Sequence, residues 1–224
     1  MWDRVVKGRT LHFHIAGLNH QNLLLMDRET GSWWQQVTGE CILGPLRGER
    51  LRRIASDEVT LAVWRSEQPA SNAVRFDPRY QSGYAASDWE RGIEKIPAPG
   101  TRDLVVGIER NGAAAAFPVA ALRRQSPLNT RVGGAQILII AGTDGTSVRS
   151  FERPSVNGQT LEFFQQPGRD GLVDSVTGSV WNFAGKAVSG PLAGRTLEPV
   201  QNAKDYWFDW SHYHPGIKPF QAGR

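Results

Sequence analysis

The sequence predicts a mainly β protein with a few short helices, organised as two related sheet modules from an internal duplication, the first copy cut short. Three observations carry this. Glycine (24) and proline (13) are frequent among 224 residues, which favours many turns and short strands. The apolar runs are brief and separated by turn signals. Two stretches of the chain also repeat one another.

The first copy contains GRTLHF (8–13) and LMDRETGSWWQQVTGECILGPLRGERL (25–51); the second contains GQTLEF (158–163) and LVDSVTGSVWNFAGKAVSGPLAGRTL (172–197). Each then runs into Trp-x-x-x-x-Pro, at Trp64 to Pro69 and Trp210 to Pro215. The shared residues suit turns. Asp27 with Thr30-Gly31-Ser32, and Asp174 with Thr177-Gly178-Ser179, combine a carboxylate that bonds the turn backbone with a Gly that accepts positive φ. In Gly44-Pro45-Leu46-x-Gly48 and Gly190-Pro191-Leu192-x-Gly194, Pro ends a strand and Gly permits a reversal. Trp34 and Trp181 are expected in the module cores. Residues common to both copies are read as scaffold, so function is sought where the copies differ.

Along the chain, MWDRVVKGRTLHF has no apolar h-region and reads as the middle of a hairpin, so upstream sequence is expected to be missing. Residues 1–69 form the incomplete first module. Residues 70–103 read as an ordered linker, with Tyr80, Tyr84 and Trp89 as anchors. Residues 104–224 form the second module. Its front part opens with the strand LVVGIE (104–109), the type I′ turn Asn111-Gly112 and the return AAAAF (113–117). LNTRV and AQILIIAG follow as a hairpin about Gly133-Gly134. Helices are expected near 56–67, 118–124 and 202–213.

The chain resembles the bacterial domain-of-unknown-function family 3179. The residues that carry the resemblance are GRTLHFHIAGLNHQNLLLMDRETGSWWQQVTGECILGPLRG, VVGIERNGAAAAFPVAAL, LNTRVGGAQILII, VDSVTGSVWNFAGKAVSGPLAGRTLEPV and the tail ending His212-Tyr213-His214-Pro215. The resemblance implies two related halves, an exported, extracytoplasmic location and no assigned activity. Its usual Cys-Pro-x-Cys-Gly stretch is absent. The equivalent in the second copy is Ala141-Gly142-Thr143-Asp144-Gly145.

Hydrophobic residues at 40% and charged residues at 21% suit a globular chain, and no run approaches the length of a membrane span. Net charge is +4, with basic and acidic residues interspersed. The run Arg47 to Arg53 lacks the aromatic stacking pattern of a nucleic-acid surface, so no nucleic-acid partner is expected. The one cysteine, Cys41, excludes an internal disulfide. It aligns with Ala187 and reads as a small buried residue.

The segment from His12 to Asn22 is peculiar to the first copy. His12 and His14 on one strand face, joined by His20 after Gly17, would make a zinc or copper(II) set; the alternative is a solvated polar face. Asn19, His20, Gln21 and Asn22 beside Trp33, Gln35 and Gln36 would instead form a polar, aromatic cleft for a small polar ligand or a protein partner. With Trp34 in the core, strand alternation leaves Trp33 exposed or lining that cleft. The tail from Asp205 to His214 combines carboxylates, histidines and Ser211. It lacks the elbow and oxyanion loop of a Ser-His-Asp site, and Tyr206, Trp207 and Trp210 space as a buried helix face. The expected function is therefore a noncatalytic extracytoplasmic binding or interaction module. The alternative is part of a metal-dependent or redox enzyme whose cysteine motif lies upstream.

Overall fold

The fold is described from a computed structural model for residues 1–19, 22–75, 77–80, 103–166 and 171–222. The first module is a small hairpin, β1 (Val5–Val6) with β2 (Arg9–Thr10), feeding a four-stranded antiparallel meander. Its strands β3 (Phe13–Asn19), β4 (Asn22–Asp27), β5 (Trp33–Gln35) and β6 (Cys41–Leu43) pair in sequence order. The turn after β4 is built from the residues the sequence singles out. Asp27 is buried; its Oδ1 accepts from Thr30 N at 2.6 Å and its Oδ2 from the Trp34 indole Nε1 at 2.8 Å. Thr30 Oγ1 meets Ser32 Oγ at 2.6 Å, and Leu46 N donates to Ser32 Oγ at 3.1 Å. A Cβ at Gly44 would stand 2.7 Å from Ser32 Cα, so only glycine fits there. Val6, Leu11, Trp34, Cys41 and Leu51 form the core beneath, with Phe13 edge-on to Trp34 at 5.8 Å.

Beyond β6 the chain reverses through a turn at Gly44–Gly48 and runs on to α1 (Leu61–Glu67), shorter than the expected 56–67 because Thr60, in extended conformation, caps it by accepting from Val63 N. A 3-10 turn, Pro78–Tyr80, follows. Tyr84 and Trp89, the other expected linker anchors, lie outside the described residues.

The second module begins with β7 (Leu104–Arg110) and β8 (Ala113–Pro118). They join at Asn111-Gly112 with φ of 49° and 77°, the left-handed pair a type I′ turn requires. Helix α2 (Val119–Arg124) leads to a second sheet of β9 (Leu128–Val132), β10 (Ala135–Ala141) and β11 (Val148–Glu152). The unbroken apolar run in β10 is buried on both faces. Ile137 and Ile139 pack with Val106, Ile108, Phe117 and Leu122, while Leu138 and Ile140 pack with Phe151, Phe163, Leu172 and Trp181.

The hairpin β12 (Ser155–Val156) with β13 (Gln159–Thr160) then feeds the meander β14 (Phe163–Gln165), β15 (Leu172–Asp174), β16 (Val180–Trp181) and β17 (Ala187–Ser189). Asp174 accepts from Thr177 N at 2.6 Å and from Trp181 Nε1 at 3.0 Å. Leu192 N donates to Ser179 Oγ at 2.9 Å, and Phe163 meets Trp181 edge-on at 5.7 Å. These contacts match those of the first module residue for residue.

The tail departs from expectation. Asn202–Tyr206 is not helical. It is strand β18, paired antiparallel with β7 from Asn202↔Ile108 to Tyr206↔Leu104. Pairing with β7 gives partners to the backbone groups of β18 that face it and fills the edge of β7 opposite β8. Only Trp207–Tyr213 forms helix α3. Its Trp210 is fully buried, with its benzo edge against Gly107, where a Cβ would stand 2.3 Å from the ring.

Candidate functional site

Alternation divides the first meander into two faces. Phe13, Leu25 and Trp34 turn toward the module core, as the core packing records. The cross-strand rows on the other face are His14–Met26–Trp33, Leu24–Gln35 and Asn19–Asn22. At its Asn19–Asn22 end this face meets α3.

A hydrogen-bonded amide chain crosses that junction. Asn19 Nδ2 donates to Gln35 Oε1 at 3.1 Å, and Gln35 Nε2 donates to Asn22 Oδ1 at 2.9 Å. Val37 N donates to the same Oδ1 at 3.1 Å, and Asn22 Nδ2 donates to Asp209 Oδ2 at 3.1 Å. Tyr213 Oη closes the contact by donating to the Asn19 carbonyl at 3.1 Å. Asn22 and Gln35 are buried, so each unmade bond would cost about 1–3 kcal/mol.

Next to this chain lies a cavity of about 300 Å³ between the first meander, the 53–58 segment and β18–α3. Asn22, Gln36, Arg53, Lys204, Asp205 and Trp210 are among its lining residues. The charges around it are largely paired off: Lys204 with Glu58 at 3.2 Å, Arg53 with Glu109 at 2.9 Å, and Asp57 with Arg149 at 2.7 Å. Among the described residues no cation pairs with Asp205. Burial first, and then the charge of Asp209 in the first turn of α3, push the Asp205 carboxyl up to about 7, against the one backbone N–H, from Tyr206 at 2.8 Å, that favours its ionised form. The Tyr213 phenol is pushed up as well, by burial and then by Asp209 and Asp205. Trp210, which also borders the cavity, has a buried indole N–H with no hydrogen-bond partner. The site thus combines a carboxyl of raised pKa, an amide and an indole donor around one small space.

Of the residues the sequence singles out, Asn19, Asn22 and Gln35 are brought together. Gln36 lines the cavity, and its carbonyl accepts from Trp2 Nε1 at 2.7 Å. Trp33 is half-buried on the same sheet face, in the row farther from the cavity. His20 and Gln21 lie outside the described residues. His12 is exposed, and its Nδ1 is engaged by Glu29 Oε1 at 2.7 Å; His14 Nδ1 is buried without a partner. Among the described residues no group of three or more His, Cys, Asp or Glu is placed to hold a metal ion. Cys41 is buried beside the Leu43 carbonyl at 3.4 Å, and burial pushes its thiol pKa up.

Sequence reasoning missed Asp205 and Asp209 as site residues. The signal is the pair of carboxylates in the tail, weighed in the sequence only for a Ser-His-Asp arrangement and outweighed there by the aromatic spacing of a core helix. No helix among the described residues is long and apolar enough to cross a membrane. No curated protein and no solved structure matches the chain. Residues 1–217 match the family described as "Protein of unknown function (DUF3179)", and the chain belongs to that family.

Proposed function

We propose that this chain is a noncatalytic binding module whose site is the cavity between the first meander and β18–α3. The ligand is a small, neutral or singly cationic polar molecule carrying both a donor and an acceptor. One observation carries the reading: Asp205 faces the cavity with no cation paired to it, beside the unpartnered Trp210 indole N–H. A ligand ammonium or hydroxyl would donate to Asp205, and a ligand oxygen would accept from Trp210 and the amide side. An anionic ligand is disfavoured, because the lining cations Lys204 and Arg53 already hold Glu58 and Glu109. The cavity volume lies at the lower end of the range for small-molecule sites, about 300–1,000 Å³.

Calorimetric titration of the full chain at pH 8 with a panel of small amines, amino alcohols and polyols tests this. The expected result is binding by at least one compound, weakened more than tenfold by Asp205→Asn. A panel with no binder, or a binder indifferent to Asp205→Asn, refutes it.

A second reading, part of a metal-dependent or redox enzyme, is favoured by the buried, unpartnered His14 Nδ1, whose cross-strand neighbour is the thioether of Met26. Stoichiometric zinc, copper or iron in purified protein, lost on His14→Ala, would support it over the first.

A further inference from the structure

A second cavity, of about 490 Å³, lies in the other module beneath α1. Seven residues of helix are too short to be stable alone, and packing of a buried apolar face is the usual remedy. Helix α1 has no buried residue; Leu61 and Trp64 face solvent, at 51% and 40% exposure. It is held at its ends by polar clasps instead. At the N-terminus Thr60 Oγ1 donates to Asp144 Oδ2 at 2.7 Å, and Thr60 N donates to Ser147 Oγ at 3.0 Å. At the C-terminus the buried Arg149 guanidinium donates to both carboxylate oxygens of Glu67, at 2.6 and 2.7 Å, and through Nε to Asp57 at 2.7 Å. The helix is therefore strapped across the module without being packed into it.

What it spans is largely apolar. Val63 of the helix faces walls that include Ile140, Leu172, Trp181, Phe183 and Val188. Among the described lining residues the single charge is Glu67, and Arg149 takes both of its oxygens while lying 4.8 Å over the Phe183 ring. Among the described residues a charged ligand would find no counter-ion. The other polar side chains are neutral: Thr143, Gln165, Ser66, which donates to the Val63 carbonyl at 2.8 Å, and the Asn182 amide, whose Oδ1 already accepts from Lys186 N at 2.9 Å. The volume falls within the small-molecule range, and the lining matches the usual pattern of apolar walls with a few convergent polar groups.

We propose that this second cavity binds a neutral, predominantly apolar small molecule carrying an aromatic or ring system, with α1 as the strap over it. The site is separate from the polar cavity and does not depend on the reading given for that one. Val188, at 56% exposure, forms its mouth, and Val63 its roof.

The test uses the full chain and N-phenyl-1-naphthylamine, a neutral apolar fluorophore. Saturable 1:1 enhancement is expected. Val188→Lys, which puts a charge at the solvent-facing mouth, and Val63→Trp, which fills the space from the roof, should each weaken binding at least tenfold. Asp205→Asn should leave it unchanged. Thermal unfolding of each variant checks that it folds; Val188→Lys alters an already exposed side chain and so keeps the test valid if Val63→Trp destabilises α1. Absence of saturable binding overturns the proposal. So does unchanged affinity in the folded variants, or loss of binding in Asp205→Asn.

Discussion

Asp205→Asn tests the electrostatics of the polar cavity without any knowledge of its ligand. The Asp205 carboxyl moves from an ordinary value of 3.8 to about 7 in the folded chain, through burial and the neighbouring Asp209. At about 1.4 kcal/mol per pH unit this sets a ceiling near 4 kcal/mol. Asp205 is only partly buried, so solvent screening reduces the expected effect to about 1–2 kcal/mol. The sign follows from linkage. A carboxyl that holds its proton more tightly when folded stabilises the fold fully below the unfolded value, near 3.8. That contribution is lost progressively as pH rises through about 7. Asparagine keeps the acceptor for Tyr206 N but cannot ionise, so the variant escapes the loss. Urea unfolding followed by tryptophan fluorescence reads the difference. With an m-value of about 2 kcal/mol/M, the Asn variant should unfold about 0.5–1 M urea higher than wild type at pH 8, and the two should converge at pH 4. Equal offsets at both pH values, or an Asn variant weaker than wild type at pH 8, would refute the assignment of a raised Asp205.

Three further outcomes follow from the packing. Asp27→Ala removes the acceptor for Thr30 N, Thr30 Oγ1 and the buried Trp34 indole, and should cost about 2–4 kcal/mol in denaturant unfolding, with Asp174→Ala costing a similar amount. Gly107→Ala drives a Cβ into the Trp210 ring and should cost about 3 kcal/mol, whereas Gly112→Ala meets open space and costs only the strain of its positive φ. Cys41→Ala should cost about 1 kcal/mol or less, since alanine occupies the matching position 187, and the native thiol should resist a thiol reagent until the protein unfolds.

Local chemistry was legible in the sequence wherever neighbours along the chain decide it. The Asp-Thr-Gly-Ser turns, the Asn111-Gly112 hairpin, the Gly133-Gly134 hairpin and the buried Trp34 and Trp181 all depend on contacts within a few residues or on one strand's pattern. The tail was not legible. Its aromatic spacing fits a helix, and from Trp207 onward it is one, but Asn202–Tyr206 takes its conformation from β7, a strand distant in sequence. The polar site was half legible for the same reason. Asn19 and Asn22 stood out in a segment peculiar to the first copy, and Gln35 as a residue expected beside them. The acid that receives the Asn22 amide lies 187 positions away, and nothing in the local pattern of either segment points to the other.

The pairing of β18 with β7 also sets an order of events in synthesis. The first and last strands of the second module lie side by side, and between them the chain must emit α2, the β9–β11 sheet and a whole meander. Until Asn202–Tyr206 leaves the ribosome, one edge of β7 has no partner, and Gly107 has no Trp210 against it. The first meander can form early, but its polar face cannot be covered until α3 arrives. Nascent chains therefore carry an unpaired strand edge through most of the synthesis of the second module. Such long-range closure folds slowly and leaves that edge open to other chains, which makes the C-terminal segment the gate to a soluble product.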